Sequence, residues 1–197
     1  MKTLTYVSTK DVNALTWPVV VNDITLYSPA VSVFTDFEKA GPRVIEANTR
    51  ADELVLLMRK EHVRMKLVVD ATNRFIGIIS LEDLSEDIFI TKVADGFTRS
   101  ELLVADLMRS KDVLLALSYT SLKHADIESL LFSQRANKLQ HLLVIDEETK
   151  AIRGVISSND IARQLRIDVD TAFSNFATLY ESVVMSPNER EQKRKVA

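Results

Sequence analysis

The chain of 197 residues contains no cysteine. That excludes disulfides, thiolate zinc centres, iron–sulfur clusters and a cysteine nucleophile. Glycine is nearly as scarce, with four in all: Gly41, Gly77, Gly96 and Gly154. No two lie close enough for a GxGxxG turn or a Walker-type loop, so the common glycine-built phosphate cradles are absent. A GxSxG elbow is also missing. The three histidines, His62, His124 and His141, are scattered and form no HExxH pattern. His124 with Asp126 and Glu128 is too sparse a set for a metal site. Apolar runs such as Val113 to Leu117 are far shorter than the roughly 20 residues that cross a bilayer. Residues 1–10 lack the apolar core of a signal peptide, so a soluble cytoplasmic protein is expected. Twenty-five basic and 28 acidic residues leave a net charge of -3, which favours neither nucleic acid nor an anionic membrane as partner. Familiar catalytic machinery is missing.

What is present is a repeat. An apolar fraction of 46% beside 27% charge is that of a globular chain rather than a disordered one. Within it, residues 74–84 (Arg-Phe-Ile-Gly-Ile-Ile-Ser-Leu-Glu-Asp-Leu) match residues 151–161 (Ala-Ile-Arg-Gly-Val-Ile-Ser-Ser-Asn-Asp-Ile). Upstream, Leu67-Val-Val-Asp70 answers Leu143-Val-Ile-Asp146. Further upstream, Thr35-Asp36-Phe37 is aligned with Ala105-Asp106-Leu107. One unit therefore occurs twice, over 34–88 and 102–167.

Each unit reads as β-α-β-β-α. A short apolar run (Val44-Ile45; Val113 to Leu117) precedes an amphipathic helix carrying Ala51, Leu54, Val55 and Met58, or Ile127, Leu130 and Leu131. Asn48 or Thr49 is a candidate cap for the first of these. Two β-branched runs follow, joined by turns at Asp70–Asn73 and Asp146–Lys150. A second helix is expected to start beside Ser80 or Ser157. Residues 1–33 form an extension with one added strand expected near Trp17–Val21 or Ile24–Tyr27. Residues 89–101 read as a linker. Ile161, Leu165, Val169, Phe173, Phe176, Tyr180 and Val183 recur at helical spacing and predict one long helix over 158–184. A charged tail follows, so 168–197 reads as a C-terminal helix and tail.

The tandem unit, the Val-x-Asp-Leu-Met run at Val104–Met108 and the twice-repeated Gly-h-h-Ser-x-x-Asp close resemble the cystathionine-β-synthase-type (CBS) domain. Two in one chain resemble a Bateman module, an α/β fold of two packed units. The resemblance implies a non-catalytic regulatory role with no resident cofactor. AMP, ADP, ATP or S-adenosylmethionine would bind between the paired domains and signal to a partner protein, with the chain forming a homodimer. Ribose contacts would fall on Ser80, Asp83, Ser157 and Asp160, because a carboxylate can accept hydrogen bonds from both ribose hydroxyls. Adenine would sit against Val44, Ile45, Ala116 and Leu117 and the backbone near Met65, Gln140 and His141, with Arg64 reaching a phosphate. Departures from the family pattern are Leu67 and Leu143 where proline is common, and Glu82 beside Asp83. These departures and the long helix leave a second reading open, an interaction or dimerisation module without ligand. Both motifs also have a plain structural role: Ser-x-x-Asp resembles a capping box.

Overall fold

Among the described residues, eight short strands build two four-stranded sheets. The computed structural model describes Ser8, Lys10, residues 23–167 and residues 175–184. The strands are β1 (Phe34–Asp36), β2 (Val44–Glu46), β3 (Met65–Val69), β4 (Phe75–Ser80), β5 (Arg109–Ser110), β6 (Ala116–Ser118), β7 (His141–Asp146) and β8 (Ala151–Ser157). The helices are α1 (Ala51–Lys60), α2 (Glu86–Ala94), α3 (Val104–Leu107), α4 (Tyr119–Lys123), α5 (Ile127–Ser133), α6 (Ser158–Gln164) and α7 (Phe176–Val183).

One sheet runs β2-β3-β4-β5 and the other β1-β8-β7-β6. In each, a parallel pair joined through a helix (β2 and β3; β6 and β7) is followed by an antiparallel hairpin. The hairpin turns behave as their sequences suggest. Asn73 (φ 62°) and Lys150 (φ 56°) take the left-handed conformation. The Asp70 carboxylate accepts hydrogen bonds from the backbone N–H groups of Thr72 and Arg74. Those bonds and the Arg74 guanidinium hold the Asp70 carboxyl well below the usual carboxylate range.

The edge strands are exchanged between the units. β1 precedes the first unit yet pairs with β8 of the second, and β5 opens the second unit yet pairs with β4 of the first. Gly154 lies opposite Asp36 and Gly77 opposite Ser110. This exchange explains the repeated glycines. A Cβ on Gly154 would stand 2.1 Å from the Thr35 carbonyl oxygen, and one on Gly77 would stand 2.4 Å from that of Arg109. It also corrects the alignment of the opening segment. The counterpart of Val104–Met108 is Ala30–Phe34, because Ala30 and Val104 each donate a backbone hydrogen bond into the sheet-to-helix turn of the other unit, at Ala125 and Thr49. Thr35 is therefore the partner of Arg109, and Asp36 of Ser110.

The same exchange caps the helices. The N-cap of α1 is Arg50, with no side-chain cap bond from Asn48 or Thr49. Ala51 N–H donates instead to the Leu102 carbonyl, and the Thr49 carbonyl accepts from Val104. Backbone from the other unit thus satisfies groups that a capping side chain would otherwise take. The second unit adds the short α4, capped by Ser118, before α5, capped by Asp126.

Three cores result. Met65, Leu67, Ile78 and Leu143 pack between the two sheets. Leu54, Met58, Val68, Ile79 and Phe89 fill the space between the first sheet and its helices. Ile127, Leu131, Val144, Ile156, Ile161, Phe176 and Leu179 do the same for the second. Strand alternation sends odd and even positions to different cores, and each fully buried large side chain contributes roughly 1.5–3 kcal/mol.

The predicted long helix is two helices. α6 ends at Gln164, where Arg166 turns left-handed (φ 54°) and Ile167 N–H bonds back to the Ala162 carbonyl. α7 starts afresh after Asn175, whose side chain accepts from Thr178 N–H. Its first N–H groups bond the carbonyls of Leu139 and Asn137, which fix it on the second unit. Val169 and Phe173 lie outside the described residues, as do Trp17–Val21 and the tail after Val184. Ile24–Tyr27 form no strand; Ile24 and Leu26 pack on the second core. Within the predicted linker, residues 89–94 belong to α2. Among the described residues, no helix is long and apolar enough to cross a membrane.

Candidate functional site

Both Ser-x-x-Asp motifs stand where an inner hairpin strand ends, but the chain leaves those strands differently. In the second unit α6 begins at once, with Ser157 as N-cap and Asp160 in the first turn. In the first unit four turn residues intervene before Ser85 caps α2, so Asp83 precedes the helix. There Asp83 Oδ2 accepts from Ser80 N–H at 2.8 Å and Ser80 Oγ–H at 2.6 Å. Asp160 pairs instead with Arg163 one turn on, at the surface.

Ladder register brings several predicted residues together. Met65 lies opposite Ser80, and His141 opposite Ser157. The Arg64 and Gln140 carbonyls accept from Leu81 and Ser158 N–H, so each sits at the mouth of its own motif. Arg64 and Arg109, both of the first sheet, lie near His141 of the second. Burial, then these two cations, push the His141 imidazole down to about 4. Val44 and Ala116 share a cavity of about 720 Å³ between the sheets with Leu67, Leu143 and Ile152. Ile45 and Leu117 do not line that cavity; they pack toward the helix-side cores and line two others, Ile45 with Val44 (about 490 Å³) and Leu117 with Ala116 and Arg109 (about 600 Å³).

The two motif ends face different surroundings. A cavity of about 560 Å³ opens between β3 of the first sheet and the β1–β8 edge of the second, lined by Thr35, Phe37, Arg43, Met65, Leu67 and Val155. Ser157 lies two residues beyond Val155 on the same face of β8, and Asp160 one helical turn beyond that. At the equivalent place in the first unit the edge residue is Arg109. Its Nε is 3.3 Å from Asp83 Oδ1, and its Nη2 is 3.5 Å from Ser80 Oγ.

Thr35, Arg43 and Arg109 were not among the residues the motifs pointed to. Thr35 and Arg109 reach the clefts only through strand exchange, and Arg43, just before β2, faces the second unit only through the packing of the two sheets; neither cause leaves a local signal in sequence. A further clasp has the same origin. Arg153 of β8 grips Asp36 of β1 through two hydrogen bonds of 2.9 and 3.1 Å, and reaches Glu38. The pair is mostly buried, and the guanidinium holds the Asp36 carboxyl below its ordinary range. Among the described residues, no three metal-binding side chains converge.

The sequence model of the CBS domain matches residues 35–89. The second unit repeats that fold strand for strand, so the two units share the architecture of the segment that the CBS model matches. An uncharacterized conserved protein from Pyrococcus horikoshii has a similar structure: 17% identity, TM-score 0.54, over 76% of this chain and 100% of that one. A conserved CBS-domain protein of unknown function from Thermoplasma acidophilum gives 18%, 0.49, and 76% of each chain. The CBS-pair protein CBSX2 from Arabidopsis thaliana, solved in complex with AMP, gives 19%, 0.49, and 70% and 94%. No curated protein sequence matches the chain.

Proposed function

We propose that the chain is a non-catalytic regulatory module that binds an adenosine-containing ligand in the cleft beside Asp160. The observation that carries this is the cavity between Thr35, Met65, Leu67 and Val155. Its lining is mostly apolar, as an adenine ring requires, and includes Arg43; Ser157 lies two residues beyond its lining residue Val155 along β8. Asp160 pairs with the exposed Arg163, which a ribose can displace. Arg43 supplies the positive charge for a phosphate, or for the carboxylate of S-adenosylmethionine. Because the cleft has walls from both sheets, ligand binding changes their packing, and a partner protein reads the change. A ligand shifts that equilibrium only as far as it binds the two arrangements differently.

A thermal-shift panel of AMP, ADP, ATP, NAD and S-adenosylmethionine tests the reading. At 100 times its dissociation constant a ligand adds about 2.7 kcal/mol, which is roughly 5–11 °C for a chain of this size. The expected result is a shift with one or more of these that disappears in Asp160→Ala. A cooperative melt unmoved by every ligand would sink it.

A second reading, an interaction module, has its own observation. Leu56 on α1, Ile90 and Val93 on α2, and Phe97 just beyond it are exposed, whereas on the second unit α7 packs over the sheet's helices. An exposed apolar face of this kind marks a protein contact. α7 itself is an unsuitable partner surface, because Phe176 and Leu179 are buried in its own unit. Light scattering distinguishes the cases. A dimer that dissociates in Ile90→Glu/Phe97→Glu supports pairing through the first unit, and a monomer in wild type argues against it.

A further inference from the structure

We propose that Arg109 is a built-in plug of the first cleft, so that each chain offers one ligand site rather than two. This rests on the ligand-binding reading above and deepens it. The two clefts descend from one repeated motif, and β1 and β5 are their equivalent edge strands. At the equivalent register position one edge carries Thr35 and the other Arg109. Thr35 leaves an open cavity beneath it. Arg109 also lines a cavity, of about 600 Å³ with Leu114, Ala116 and Leu117, but its guanidinium reaches across to the Ser80–Asp83 motif.

The contacts it makes are those a ribose would need. Asp83 Oδ2 is already engaged by Ser80 N–H and Oγ–H. Asp83 Oδ1, the oxygen left for a ligand, faces Arg109 Nε at 3.3 Å. Ser80 Oγ accepts from Arg109 Nη2. Ser80 is buried beneath these groups. A ligand entering this cleft must break an ion pair and displace a guanidinium. In the second cleft it displaces only a solvent-exposed arginine from Asp160. The plug is also imperfectly bonded. Arg109 Nε is buried and lacks a well-aligned acceptor, and the neighbouring His141 and Arg64 offer it no negative charge.

Calorimetric titration with AMP and ATP reads the number of sites. Wild type takes one equivalent per chain, Arg109→Thr takes two, and Arg109→Thr/Asp83→Ala returns to one. Two equivalents in wild type, or one in Arg109→Thr, overturn the plug. Should no nucleotide bind to either protein, the ligand-binding reading fails, and the plug is decided without ligand. The chain has no cysteine, so Ser80→Cys carries the sole thiol. Its modification rate by a thiol reagent is expected to rise tenfold or more when Arg109→Thr is added, while that of Ser157→Cys stays unchanged. Equal rates at position 80 overturn the proposal. If Ser80→Cys does not fold, exchange of the Arg109 Nε–H by NMR replaces it. Slow exchange supports the plug, and the rate of an exposed arginine refutes it.

Discussion

Gly77 and Gly154 illustrate how a single residue can fix an arrangement of strands. Neither needs a left-handed conformation. Each is glycine because the exchanged edge strand passes where a Cβ would be, against a backbone carbonyl that cannot move aside cheaply. Gly154→Ala and Gly77→Ala are each expected to cost about 1–3 kcal/mol of stability, read from urea midpoints. An unchanged midpoint in both would mean the edge strands adjust freely. His141 makes a second prediction at this scale. Its imidazole is lowered from 6.5 to about 4 by burial, Arg64 and Arg109. Between those values the unfolded chain takes up a proton that the native state refuses, so stability falls as pH falls through that window. The loss by pH 4 is up to about 3 kcal/mol. His141→Gln should flatten the slope of unfolding free energy between pH 6.5 and 4.5. The same slope in both proteins would exclude His141 as its source. The motif serines, aspartates and glycines were all legible in the sequence. The identity of the residues facing them was not, since Thr35, Arg43 and Arg109 arrive from the other unit.

Elements were legible in proportion to how local their causes are. The hairpins β3–β4 and β7–β8 and the helices α1 and α5 follow from alternation and from apolar spacing, and they stand where these place them. The continuous helix over 158–184 fails for a reason no periodicity contains: Arg166 adopts a left-handed conformation and ends α6. The opening segments misled because pairing was assumed within each unit. β1 and β5 are too short to hold by themselves, and pairing partners far along the chain decide where they go. For β1 the decisive partner is Arg153. Arg153→Met leaves the Asp36 carboxylate without its cation, so the urea midpoint should fall. The double variant Arg153→Met/Asp36→Leu should recover most of the drop. If the double variant is as unstable as the single, the clasp does not hold β1. The seating of α7 is tested by Phe176→Ala, which removes a fully buried ring and should cost about 3–5 kcal/mol. A cost under 1 kcal/mol would mean that α7 is loosely held.

At the scale of the whole molecule, the exchange makes two repeated units one body. Each sheet is completed by the other's chain, so neither unit folds with its full set of strands alone. The inter-sheet layer is apolar at its centre and polar at both ends, where the Ser-x-x-Asp turns lie. Near-symmetry supplies two clefts, and a departure from symmetry at Thr35 and Arg109 makes them unequal. The most direct measurement is a crystal structure of the chain grown with AMP or S-adenosylmethionine. The account predicts adenine density between Thr35, Met65 and Val155, with ribose hydroxyls on the Asp160 carboxylate and the first cleft still filled by Arg109. Ligand density at Asp83 with the second cleft empty, or no ligand density in either cleft at saturating concentration, would contradict it.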